Sequence, residues 1–341
     1  AEVASLSTAA VTGLSTAQVI ALTTAQTRSL GSAQVGALQT DQIVSLTSAE
    51  VASLSTAGIS GLSSVQISLL SSDQVRVLNS AQVRTLTTAQ IVALSSAEVA
   101  ALSTAGAIGL SSAQVSVMTS QLVALTTADI AVLSTSVISG LGTAQVVSLS
   151  SGQAGALNSA QVGSLLTSQV VALGVIDLAS LSTAGLLGLS TVQIPVLTTS
   201  QAGALGSSQV GALTTAQIVV INTADVASLS TAGISGLNTA QVVALTTAQA
   251  GVLGSVQIGA LTTSQLVALE TVDVSVLSTA AIVGLSSAQV GALTTAQSGA
   301  LGSSQIAVFT TAQISAMETS DVGSLSTNAC LLYTSPSPRD A

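Results

Sequence analysis

The sequence predicts an all-α solenoid of very short capped helices. Three observations carry that prediction: a large apolar residue every eight positions, a helix-capping pair fixed within each octad, and a second period of six octads over the first. Leucine stands at 6, 14, 22, 30, 38, 46 and onward, and 36 of the 40 octads between Leu6 and Ser324 open with it. The exceptions, Met118, Ile221, Phe309 and Met317, are also large and apolar. A fixed period of this kind is the mark of a repeat architecture.

The octad Leu86-Thr-Thr-Ala-Gln-Ile-Val-Ala93 shows the pattern, numbered one to eight from its Leu. Position 2 is Ser, Thr, Asn or Gly in 36 of 40 octads, residues that cap helix N-termini by accepting from an orphan amide. Position 5 is Gln, Glu or Asp in 33 of 40, placed to reach back to the cap's own N–H as a capping box. The Leu before the cap and the Val or Ile at position 6 then form a hydrophobic staple. One continuous helix is excluded, because at about 100° per residue the Leu stripe would rotate by roughly 80° each octad. The chain must break at every octad, into helices of about six residues that are unstable alone. Neighbours must therefore bury positions 1 and 6 together, and the small residues usual at position 8 let backbones approach. Arg28, Arg76 and Arg84 all stand at position 7, which marks that position as solvent-facing.

A β-solenoid is the alternative, since Thr, Val and Ile favour strands and stacked Gln forms amide ladders. Strand alternation would group position 1 with 3, 5 and 7, mixing Leu with Thr, Gln and Arg. That pairing is poor.

Six octads make a 48-residue cell. Its opening octad lacks the position-5 Gln and has Ala10, Gly58, Gly106, Val137, Gly185, Gly233 or Ala281 instead. Its closing octad carries an acid there: Glu50, Glu98, Asp129, Asp177, Asp225, Asp273 and Asp321. Glu2 fits the same slot one cell earlier, so the array is read as entered in mid-octad, a piece of a longer one without initiator Met, signal peptide or capping repeat. The third cell, 102–132, is short by two octads and one residue. Inside a strand that one residue would flip every following side chain, whereas at a helix start it only shortens a turn. Loss of two octads is expected to preserve a coil built of two octads but not one built of three. The array is thus expected to form one domain over 1–329, each cell touching only its neighbours.

Composition limits the chemistry. The 341 residues include no His, one Cys and four Lys+Arg, all Arg, against 13 Asp+Glu. The usual general bases and Schiff-base amines are missing, so the chain reads as no enzyme, and no catalytic residue, cofactor or metal site is assigned. A net charge of −9 argues against nucleic acid, whose binding rests on neutralised phosphates. The 48% hydrophobic content argues against disorder. The longest apolar run, Val170–Ile176, is far short of the roughly 20 residues a membrane span needs. Self-association remains open with so few charges. The seven closing-octad acids form a candidate cation-binding column, but calcium wants 6–8 oxygen ligands. Only Glu270/Asp273 and Glu318/Asp321 bring two acids to one octad. The simpler reading is that the acids replace Gln in the capping box and favour the helix N-terminus. Gln249-Ala-Gly-Val-Leu-Gly254 lacks the phosphate-loop Lys and reads as close packing.

Cys330 to Ala341 breaks every upstream pattern and resembles the conceptual translation of a transposon mosaic-end sequencing adapter, matched from Cys330 to Asp340. It is set aside from fold reasoning, and the remaining chain has no Cys, which is compatible with export. The octad itself resembles the Leu-Thr-Thr-Ala-Gln-Val-x-Ala repeats of very large bacterial surface or secreted proteins, some of them adhesins, over residues 1 to 329. A passing likeness to transcription-activator-like effector repeats fails on period and on charge. The adhesin-like resemblance implies an extracellular or cell-surface spacer or stalk with no binding residues of its own. The alternative is a surface-binding module for ice, mineral or polysaccharide that uses the repeated Ser/Thr rows at positions 2 and 3.

Overall fold

The computed structural model describes residues 3–325, so the adapter-like tail lies outside the described residues. Among these, 38 α-helices and three 3-10 helices follow one another with no strand between them. The α-helices are four to six residues long, one per octad, as the capping pattern predicts. Thr88–Ala93 is typical: the Thr87 hydroxyl accepts from the Gln90 amide at 3.2 Å, and Gln90 Oε1 accepts from the Thr87 amide at 2.6 Å. At Gly31 only the second bond exists, since glycine has no side chain to accept the first. Helices such as Thr40–Ser45 end by two extended residues: Leu46 at φ −59°, ψ 133°, then the next cap, Thr47, at φ −73°, ψ 159°. No described residue has positive φ, so glycine here serves close approach rather than turns.

The chain divides into two compact units, Ala1–Leu173 and Gly174–Ala341. Each is an all-α solenoid in which a helix packs on the third helix along. In the first unit Ser32–Gly36 packs on Thr56–Gly61, three octads further on. In the second, Thr231–Ser235 packs on Ser255–Ala260, again three octads on. One coil is therefore three octads, and a cell of six octads is two coils. This corrects the expectation that losing two octads would not preserve a coil built of three. Removing two octads does not break the stack, because every octad offers its neighbours the same surface; it only moves the pattern of the cell to another face. After Glu50 and Glu98 share one face of the first unit, Asp129 lies on the next.

The core is built as positions 1 and 6 require: Leu205, Val210, Leu213 and Ile218 are all buried. Arg28, Arg76 and Arg84 are exposed. Arg76 meets Asp73 at 3.2 Å, a solvated pair that contributes little. The octad that lost one residue begins at Met118 and carries a single 3-10 turn, Leu122–Ala124. A second irregularity is the 3-10 turn Ile194–Val196, where Pro195 sits in the first turn, a place that needs no amide donor.

Backbones approach most closely at the opening octads. A Cβ on Gly236 would lie 2.3 Å from the Ser207 carbonyl oxygen one coil back, and one on Gly61 would lie 2.2 Å from that of Ser32. Only glycine fits at such a crossing.

Candidate functional site

The position-5 side chain is where consecutive coils are joined. Gln241 is 1% exposed, and its Oε1 accepts from the Asn238 amide at 2.7 Å to close the capping box. Its Nε2 points the other way, to the coil before. It donates to the carbonyls of Val210 at 2.9 Å, Gly211 at 3.3 Å and Leu213 at 2.6 Å. Those carbonyls lie at the end of a helix of the preceding coil, where the last turn runs short of intrahelical donors; the Val210 carbonyl also accepts from the Leu213 amide at 3.1 Å. One amide thus caps the start of its own helix and the end of another. The arrangement recurs at Gln82 and Gln161 in the first unit and at Gln257 and Gln297 in the second. Even the shortened octad keeps the donating half, although Gln121 makes no capping bond of its own: it reaches the carbonyls of Ile91 at 3.2 Å and Leu94 at 2.7 Å, with each sequence separation smaller by one.

Sequence reasoning finds the capping half of this staple and misses the donating half. A signal was present. A capping box accepts Glu as readily as Gln, so an array that uses Gln in every octad that neither opens nor closes a cell is asking for the N–H₂.

The acids occupy the same place without a donor. Glu50, Asp129, Asp225, Asp273 and Asp321 are buried, while Glu98 and Asp177 are half-buried. Within a unit, acids on one face recur every second coil rather than in adjacent coils, so they form no continuous column. Among the described residues no three acids, His or Cys gather in one place. Thr47 and Thr126 still make full capping boxes with Glu50 and Asp129. At Asp321 the Thr295 hydroxyl, one coil back, donates to Oδ1 at 2.8 Å. At Asp225, Oδ2 has no hydrogen-bond partner, and Asn222 Nδ2 takes over the donation to the preceding coil, reaching the Pro195 carbonyl at 2.7 Å. At Asp273 neither carboxylate oxygen has a partner.

Burial raises the Asp225 carboxyl above its ordinary value of 3.8, opposed by Asn222. Burial likewise raises Asp273, and the Glu270 charge adds to the rise. The Thr247 hydroxyl and the Glu270 amide oppose it without reaching normal hydrogen-bond geometry.

Two surface hollows, of about 370 and 360 Å³, are lined by Ser230, Thr231 and Gln257, and by Ser111, Ser134 and Arg84. Their hydroxyls face no base able to activate them. No helix among the described residues is long and apolar enough to cross a membrane.

Capped octads, three to a coil and stapled by amides, define a class: an all-α octapeptide-repeat solenoid. The chain belongs to the ALTTAQ repeat family, which matches residues 20–48, 75–104, 122–159, 176–207, 218–255 and 266–303. No curated protein and no solved structure matches it.

Proposed function

We propose that the array is a non-enzymatic spacer or stalk within a large bacterial surface or secreted protein. The observation that supports this most is the survival of the staple through the shortened octad, where Gln121 still joins its coil to the one before. A part whose joints tolerate such changes is one whose useful property is length, because each coil adds its own neighbour contacts. The scarcity of Trp, Tyr and Arg leaves few anchors for tight binding along the shaft. The test is deletion of residues 229–276, one cell and two coils, from the parent protein. A spacer yields a folded, shorter protein with a graded loss of reach; loss of a binding activity carried by the isolated array would refute the reading.

A second reading has one observation in its favour. Thr215, Thr239, Thr263 and Thr311 are exposed position-3 residues, three of them in consecutive coils of one face. Such a row of hydroxyls suits an ice, mineral or polysaccharide surface, and thermal hysteresis or crystal adsorption by the chain would favour it.

A further inference from the structure

We infer that the second unit pairs side by side with the same unit of a second copy of this chain, through an uncharged face marked by the exposed row Val219, Val243 and Val267. The three valines stand at position 7 of octads three apart. Their helices, Thr215–Val219, Thr239–Val243 and Thr263–Ala268, pack one on the next in consecutive coils. The valines are 44, 48 and 39% exposed, and Thr215, Ala216, Thr239, Ala240 and Thr263 stand exposed on the same helices. Contiguous apolar surface of this kind marks an interaction site more often than a free face. Charge decides which face turns inward. Every ionisable side chain in residues 174–325 is an acid, and all six, Asp177, Asp225, Glu270, Asp273, Glu318 and Asp321, belong to octads of one other stack. Two copies meeting on that stack would bring like charges together. The valine face has no Asp, Glu, Lys or Arg in any of its six octads, which open at Leu189, Leu213, Leu237, Leu261, Leu285 and Phe309. The third face is also uncharged, but its position 7 runs Leu187, Gly211, Ser235, Gly259 and Val283, with no continuous apolar row.

The occupant is a second copy because the row repeats at the spacing of the coils. An identical row meets it in register, which is the self-complementarity a two-fold interface requires. The area is sufficient. An accessible surface of 14031 Å² over 341 residues is roughly 300 Å² per octad, and half of that in six octads gives about 900 Å² per partner, against about 800 Å² in a standard interface. The first unit has a similar row in Val123, Val147 and Val171, also in consecutive coils. There the helix stacked below Val123 carries Glu98, and three octads offer only about 450 Å². The second unit is therefore the one assigned. Many small equal contacts stand in for aromatic and Arg anchors, so the pairing is expected in the micromolar range.

The test is sedimentation velocity and light scattering of the full chain from micromolar to millimolar concentration, with Cys330→Ser throughout to exclude disulfide-linked pairs. Two row variants run beside it, Val219→Arg/Val243→Arg/Val267→Arg and Val219→Ser/Val243→Ser/Val267→Ser. A control of equal charge lies on the third face, Leu187→Arg/Ser235→Arg/Val283→Arg. Position 7 already holds arginine at Arg76 and serine at Ser315, so the octads accept both, and circular dichroism verifies the fold. The expected result is twice the chain mass for the parent and the control, and the chain mass for the arginine row. The serine row should pair only at higher concentration than the parent. A parent that stays monomeric throughout would overturn the inference and leave the row to an unlike partner or a solid surface. Pairing that the arginine row keeps, that the serine row keeps at the parent's strength, or that the control loses equally would overturn it as well.

Discussion

Gln241→Leu removes one staple and leaves the apolar core in place. In the parent, Gln241 holds the Asn238 amide at 2.7 Å and the Val210 and Leu213 carbonyls at 2.9 and 2.6 Å. The Val210 carbonyl keeps a backbone donor, the Leu213 amide at 3.1 Å, so its loss is mild. The Leu213 carbonyl and the Asn238 amide are left unpaired in a buried setting, each at about 1–3 kcal/mol, and leucine recovers part of that by its apolar surface. The net is about 3 kcal/mol, or about 100-fold in an opening equilibrium, since about 1.4 kcal/mol is tenfold. Native-state amide hydrogen exchange reads this locally. Protection should fall by that factor in residues 205–213 and 237–245, and hardly at all two coils away, because contacts run only between neighbouring coils. Gln241→Glu keeps the acceptor but turns an anion toward the carbonyls, so its loss should exceed that of leucine at pH 7 and shrink on acidification. A change below about fivefold, or one spread evenly along the unit, would refute the staple.

Other outcomes follow from single contacts. Gly236→Ala places a methyl 2.3 Å from the Ser207 carbonyl and should cost at least the roughly 1–3 kcal/mol of an overpacked core, seen in urea unfolding. Gly323→Ala, with nothing within 4 Å, should be neutral or mildly stabilising. Ser230→Ala removes the hydroxyl that accepts from the Gly233 amide at 3.1 Å and should cost about 1 kcal/mol. The raised carboxyls of Asp225 and Asp273 make the native chain take up protons before the unfolded one does. Their stabilising contribution is full below 3.8 and is lost as pH rises through the folded-state values. The urea midpoint of the parent should therefore gain on Asp225→Gln/Asp273→Gln as pH falls from 7 to 4; a constant difference would contradict this.

The sequence carries the local structure almost whole, because each octad contains its own reasons. A cap at position 2, an acceptor at position 5 and a staple between Leu and Val all act within one turn, so Thr87, Gln90 and Ile91 announce their helix without help. The coil is not legible in the same way. An eight-residue period fits two octads per turn as well as three, and the choice rests on contacts between successive coils, such as Gln241 with Leu213, that no local pattern encodes. The indel in the third cell misleads, since it looks like a constraint on the coil when it constrains only the phase of the cell. The Gly at position 8 of the opening octads is visible in Gly61, Gly109, Gly236 and Gly284, but its cause, a carbonyl of the preceding coil, is not. The acids are legible as positions, but the burial of Asp273 with neither carboxylate oxygen hydrogen-bonded is not, because no local pattern shows it.

The three-octad coil is tested most directly by spin labels placed three octads and two octads apart in the second unit. With Cys330→Ser removing the chain's one other thiol, one pair is Thr215→Cys with Thr239→Cys and the other is Thr215→Cys with Thr231→Cys. Helices stacked in adjacent coils lie roughly 8–10 Å apart, close enough for dipolar broadening of the continuous-wave spectrum. The three-octad pair should broaden strongly, and the two-octad pair, on different faces, should not. Broadening confined to the two-octad pair would contradict the coil, and with it the reach of every glutamine staple.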